Sequence, residues 1–132
     1  MRTTNTAMSW ATLAGIVLIA AGLLGFLNTS LAGGDAYALL RVDTIHNIVH
    51  ILTGLVALYI AFGLKGETQV NGVIGFGILY VIIFAAVLVS PNLFGIFSVA
   101  ANLPIHVIHA AVAVVSLAVG FMARGTSSAM AR

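Results

Sequence analysis

Two short runs hold every histidine in the chain. DTIHNIVHILTG (43–54) carries His46 and His50, and NLPIHVIHAAVA (102–113) carries His106 and His109. Residues three or four apart lie on one face of a helix, so each pair presents its imidazoles in one direction. Up to four neutral imidazoles suit a transition metal such as zinc, copper or iron. Histidines from two helices can also take both axial positions of one haem b, and a chlorophyll-type pigment needs only one. Two haems are disfavoured, because paired histidines only ~5–6 Å apart would make the macrocycles collide. A di-iron carboxylate centre is excluded as well, since Asp43 is the one carboxylate near either pair. Against all ligand readings stands a plain one: Thr44, Asn47, Thr53 and Ser116 are on hand to satisfy neutral histidines by hydrogen bonds.

The elements that carry these residues follow from composition. Of 132 residues, 61% are hydrophobic and 6% charged, and no Asp, Glu, Lys or Arg occurs between Glu67 and Arg124; the mean hydropathy is +1.18. Soluble domains carry about 25% charged residues, so eight charges cannot build a soluble surface. The sequence predicts an all-α, integral membrane four-helix bundle in a single domain. Its spans run over about Ser9 to Leu27, Thr44 to Leu64, Val70 to Val89 and Leu103 to Ala123. Each approaches the ~20 residues that cross a bilayer core, and runs of that length satisfy their backbone as helices.

Local signals mark the ends. Asp43 is placed to cap helix 2 and Asn102 to cap helix 4, where Pro104 is tolerated in the first turn. LKGET (64–68) reads as a tight polar turn, and SPN (90–92) ends helix 3. Within the first loop, AYALLRV (36–42) is expected to lie as a short interfacial helix. The apolar third loop, PNLFGIFSVAA (91–101), is expected at the interface or folded back on the bundle. SLA before Gly33 has the small-x-small pattern of a signal cleavage site, but the apolar stretch ahead of it is long for a signal, so an uncleaved first helix is expected.

With four spans, Arg2, Lys65, Arg124 and Arg132 share one side and Arg41 stands alone on the other. The positive-inside rule then puts both termini in the cytoplasm of an inner (plasma) membrane protein. Trp10 is expected as an aromatic anchor at the cytoplasmic interface. In this orientation helices 2 and 4 both run inward from the outer face, and both histidine pairs occupy their first two turns. All four imidazoles therefore share one depth, within ~10 Å of the outer boundary. The faces continue as small residues: Gly54, Ala57 and Ala61 on helix 2, and Ala113, Ser116 and Gly120 on helix 4. Small residues mark helix contacts in membranes, so both stripes are expected to point into the bundle, with His50 and His109 the closest pair.

The histidine motifs carry a resemblance. His46, Asn47, His50 and Gly54 reproduce a His-Asn-x-x-His-x-x-x-Gly pattern opening helix 2. At this motif the chain resembles a family of small bacterial four-span membrane proteins classified only as a domain of unknown function. The family's second motif, Asn-x-x-His, is matched at His109, but His106 replaces the asparagine and Ala113 a following glycine. The resemblance implies the fold and a membrane location and supplies no activity. Aligning His50 on His109 also suggests a duplication of helices 1–2 as helices 3–4, a parallel two-helix repeat.

Other function classes lose support. No basic cluster favours nucleic acid, and the absence of cysteine removes disulfides and thiolate chemistry. Three carboxylates, none in mid-membrane, and no nucleophile pattern argue against an enzyme. Two readings remain from the sequence. The first is an accessory or oligomer-forming subunit, whose partners are the bilayer and other membrane subunits or a second copy. The alternative is a haem-, pigment- or metal-binding protein using His46, His50, His106 and His109 between helices 2 and 4.

Overall fold

The computed structural model describes residues 2–96, 98–130 and 132. The helices are α1 (Arg2–Phe26), α2 (Thr44–Gly63), α3 (Gly66–Val89) and α4 (Leu103–Met130). All four are long and apolar enough to cross a membrane. α1 starts ahead of Ser9 and α4 continues beyond Ala123, because Thr, Asn, Ser and Arg at those ends are compatible with helix once it projects past the apolar core.

The bundle is two helical hairpins, α1 with α2 and α3 with α4, with further contacts between α1 and α4, α1 and α3, and α2 and α3. α2 and α4 stand across from one another, and histidine side chains reach between them. The α1–α2 seam depends on two glycines facing each other. A Cβ on Gly15 would lie 2.9 Å from the Gly54 carbonyl oxygen, and a Cβ on Gly54 2.9 Å from that of Gly15. The α3–α4 seam repeats the device at Gly120, where a Cβ would meet the backbone nitrogen of Ile74 at 3.2 Å. The small-residue stripes thus lead to the hairpin partners, α1 and α3, and not from α2 to α4.

The main core holds Ala11, Leu18, Ala57, Ile60, Val73, Phe76 and Ala113; a small second cluster of Ala32, Val42 and Ile105 lies under the first loop. The α2–α3 turn is tied by a buried residue. The Gln69 side-chain amide donates to the carbonyls of Ile60, Ala61 and Leu64, satisfying carbonyls that the end of α2 leaves free.

Two loop expectations are corrected. AYALLRV forms no helix; Leu40–Arg41 is extended and pairs in parallel with Ala32–Gly33. The cause lies upstream: Asn28, at φ 51°, ends α1 and its Oδ1 accepts the Gly34 N–H at 2.9 Å, which folds the loop back on itself. Asn102 does not use its side chain on α4. Its Nδ2 donates to the carbonyls of Ala38 and Leu39 and its Oδ1 accepts from Arg41 N–H, fastening the first loop to the start of α4. In the third loop Val99 is buried and its N–H bonds the Pro91 carbonyl, so this part does fold back, while Phe94 and Ile96 stay exposed. Phe97 of that loop lies outside the described residues.

Candidate metal centre

Asp43 sets the first turn of α2. Its Oδ1 accepts the His46 backbone N–H at 2.8 Å, the bond expected of an N-cap. Its Oδ2 accepts the Ala100 N–H at 2.6 Å. The Ala100 carbonyl in turn contacts His46 Nδ1. A carbonyl can only accept, so Nδ1 carries the proton and the neutral ring points the Nε2 lone pair inward.

Nε2 of His46 lies 3.4 Å from Nε2 of His109, and Nε2 of His50 lies 3.4 Å from the same atom. All three residues are buried, between 1% and 5% exposed. One ligand atom from each lies within 4.8 Å of the others. His109 Nε2 can carry one proton at most, and His46 Nε2 carries none in the neutral ring. A single proton cannot serve both contacts well, so a cation at the common point suits this set of atoms better than hydrogen bonding among the rings.

The spacing fits a particular geometry. At zinc–nitrogen distances of about 2.0–2.1 Å, two ligands of a tetrahedral ion lie ~3.3–3.4 Å apart, whereas adjacent ligands of an octahedral ion lie only ~2.8–3.0 Å apart. The two edges that share His109 match the tetrahedral value, while the three ligand atoms as a set lie within 4.8 Å of one another. A haem fits poorly, because its axial ligands approach from opposite faces with the macrocycle between them. Here ligand atoms of three rings lie within 4.8 Å of one another on one side of the bundle, and the 3.4 Å between the His50 and His109 nitrogens is shorter than the ~4 Å that two axial nitrogens span across a haem iron. A pigment macrocycle would need one histidine facing an open slot, and the three are turned toward one another.

The fourth histidine stands apart. His106 is half-buried, with its ring against Phe84 at 6.2 Å between centroids, and it is not in the cluster. Of the hydroxyl and amide groups on hand to satisfy the histidines, Thr44 is exposed, Thr53 and Ser116 are engaged elsewhere and Asn47 is turned toward α1. Thr53 Oγ1 donates to its own helix at the Val49 carbonyl, 2.8 Å away, and so must accept from the Tyr80 hydroxyl at 2.9 Å. Ser116 accepts from Trp10 Nε1 at 2.8 Å. Trp10 is thus a half-buried tie between α1 and α4. Asn47 packs on Gly25 of α1, and its Oδ1 has no partner among the described residues. Nδ1 of His50, His106 and His109 likewise has no partner among the described residues, so a hydrogen bond behind the ring is present at His46 alone.

Tyr80 and Gln69 went unnoticed in the sequence. The available signal was a hydroxyl or amide within an apolar helix, since a buried Tyr generally finds a partner for its OH. Tyr80 sits beside the centre, its ring 6.0 Å from that of His109.

Four apolar helices around a buried histidine cluster define a small multi-pass membrane protein. The chain belongs to the family described as Domain of unknown function (DUF4383), whose model matches residues 9–122. No curated protein and no solved structure matches the chain.

Proposed function

We propose that this chain is a multi-pass protein of a bacterial inner membrane that holds one transition-metal ion, of the zinc type, on His46, His50 and His109. One observation carries the reading: two Nε2–Nε2 separations of 3.4 Å that share His109, the edge length of a tetrahedral site. The hydrogen bond from His46 Nδ1 to Ala100 supports it, because ligating histidines characteristically donate their second nitrogen to a carbonyl or carboxylate. On this reading residues 1–132 act as one four-span domain around the site, with both termini cytoplasmic as the distribution of Lys and Arg favours.

The accessory-subunit reading draws its support from the small-residue stripes. Gly54 and Gly120 already have partners within the chain, at Gly15 and Ile74, so that support passes to intramolecular packing. Metal analysis of protein purified without chelator tests the proposal. About one equivalent of zinc per chain is expected, falling to background in His109→Ala. Metal-free protein that takes up neither Zn2+ nor Co2+ would defeat it.

A further inference from the structure

A cavity of about 280 Å3 adjoins the three histidines. Apart from the histidines and Tyr80, its walls are apolar: Val49 from α2, Ile82, Ile83 and Ala86 from α3, with Leu93 and Val99 as a roof on the loop side. Near their connecting turn α2 and α3 are close, with Gly72 against Ile60 and Leu64; the cavity lies between them toward the other end. Ile82 is 59% exposed on the flank of α3, and Val49 is half-buried at the same rim. The cavity therefore opens sideways, toward the region that lipid tails occupy.

We propose that the metal's fourth position is taken from this cavity by the carboxylate of a single-chain fatty acid whose tail fills the apolar chamber. The inference rests on the metal reading above and goes on to name its ligand. Three protein donors with an open fourth position are the pattern of zinc sites that bind an outside molecule, whereas structural sites are closed by a fourth side chain. Among the described residues no further His, Asp or Glu joins the three. Tyr80 spends its proton on Thr53.

Charge selects the head group. Three neutral imidazoles leave a divalent ion uncompensated in an apolar surround, where an unpaired charge is strongly disfavoured. Asp43 is held by two backbone N–H groups. The chain's other carboxylates, Asp35 and Glu67, lie in the first loop and at the start of α3. A negatively charged ligand, a carboxylate or a hydroxide, supplies the missing charge. The walls select the tail: an inorganic anion would have to pass the Leu93–Val99 roof and would leave the chamber unfilled, while a fatty acid enters head first from the membrane.

The test uses the full chain loaded with Co2+, whose visible absorption reports its ligands. Acetate, hexanoate, decanoate and decanol are titrated separately. Affinity should rise along the acids by up to about fourfold per buried methylene, so decanoate should shift the band at least about tenfold more tightly than acetate. Decanol, with the tail but no charge, should leave the band unmoved. Ala86→Trp fills the chamber and touches no ligand; Co2+ uptake should persist while the advantage of decanoate over acetate disappears, and Val49→Trp repeats the test should Ala86→Trp fail to fold. Equal affinity for acetate and decanoate, a matching shift with decanol, or a tail advantage that survives both tryptophans would overturn the proposal and leave the metal site standing. Absence of Co2+ uptake by the wild-type chain would defeat both.

Discussion

His50 and His109 bring their Nε2 atoms to 3.4 Å although they stand on α2 and α4, which lie across the bundle from each other. His109 makes the same approach to His46. It is the shared vertex of the cluster, and its removal leaves two histidines with nothing opposite. His109→Ala should weaken zinc binding beyond the ~10–100-fold typical of losing an outer partner. His50→Ala/His109→Ala should be little worse than His109→Ala, because residues in one site are strongly non-additive. His106→Ala should keep zinc affinity within a small factor. Competition with a chromophoric chelator reads all three, and a His106 effect as large as that of His109 would refute the assignment.

Asp43 has two roles that separate experimentally. As a helix cap its loss should cost about 0.5–2 kcal/mol of stability. As the group that holds Ala100 behind His46, its loss should lower zinc affinity ~10–100-fold. Asp43→Ala is expected to show both in thermal melts and metal titrations in detergent. Unchanged affinity beside a lowered melting temperature would reduce Asp43 to a cap.

The glycines differ sharply in what surrounds them. A side chain at Gly54 would strike Ile19 and the Gly15 backbone, whereas nothing lies within 4 Å of a Cβ at Gly75. Gly54→Leu should cost about 1–3 kcal/mol by overpacking. Gly75→Ala should be neutral or gain roughly 0.5–1 kcal/mol from helix propensity. Equal melting temperatures for Gly54→Leu and Gly75→Leu would contradict the α1–α2 seam.

Thr53 and Tyr80 form a donor chain that ends on the Val49 carbonyl. Thr53→Val strands the buried Tyr80 hydroxyl and should cost about 1–3 kcal/mol, while the double variant with Tyr80→Phe, having no polar group to strand, should recover much of the loss. A double variant as unstable as the sum of the singles would show that the two do not interact.

Orientation is open to a direct measurement. A reporter fused after Arg132 is expected in the cytoplasm and one inserted near Gly33 outside, following the four-to-one distribution of basic residues. The reverse pattern would put the histidines near the inner face, still at one depth.

Depth and facing are local properties, and the order of residues alone displays them. A place within the first two turns of each helix puts His46, His50 and His109 at one depth, and helical spacing turns them inward. The identity of the neighbouring helix is not local. A stripe of small residues looks the same whichever helix it meets, so Gly54 and Gly120 could not declare that their partners are α1 and α3. The exclusion of His106 has a simple geometric origin. Residues four apart diverge by about 40° around a helix and residues three apart by about 60° in the other sense, so the second pair is splayed more widely than the first. Asn102 misled for a related reason: its position at the start of α4 suits a cap, but the first loop offered three backbone groups across a gap that sequence distance concealed.

The ring of hydrogen bonds from Asp43 to Ala100 and back to His46 joins the third loop to the ring whose Nε2 is proposed to hold the metal. Such a ring makes the loop and the ion mutual effectors. If ion binding steadies the loop by some factor, then anything that steadies the loop in the same form must tighten ion binding by that factor, because coupling between two equilibria is reciprocal. A molecule outside the membrane that grips the exposed Phe94–Ile96 segment could thereby set how long a metal ion stays in the bundle, without ever approaching it.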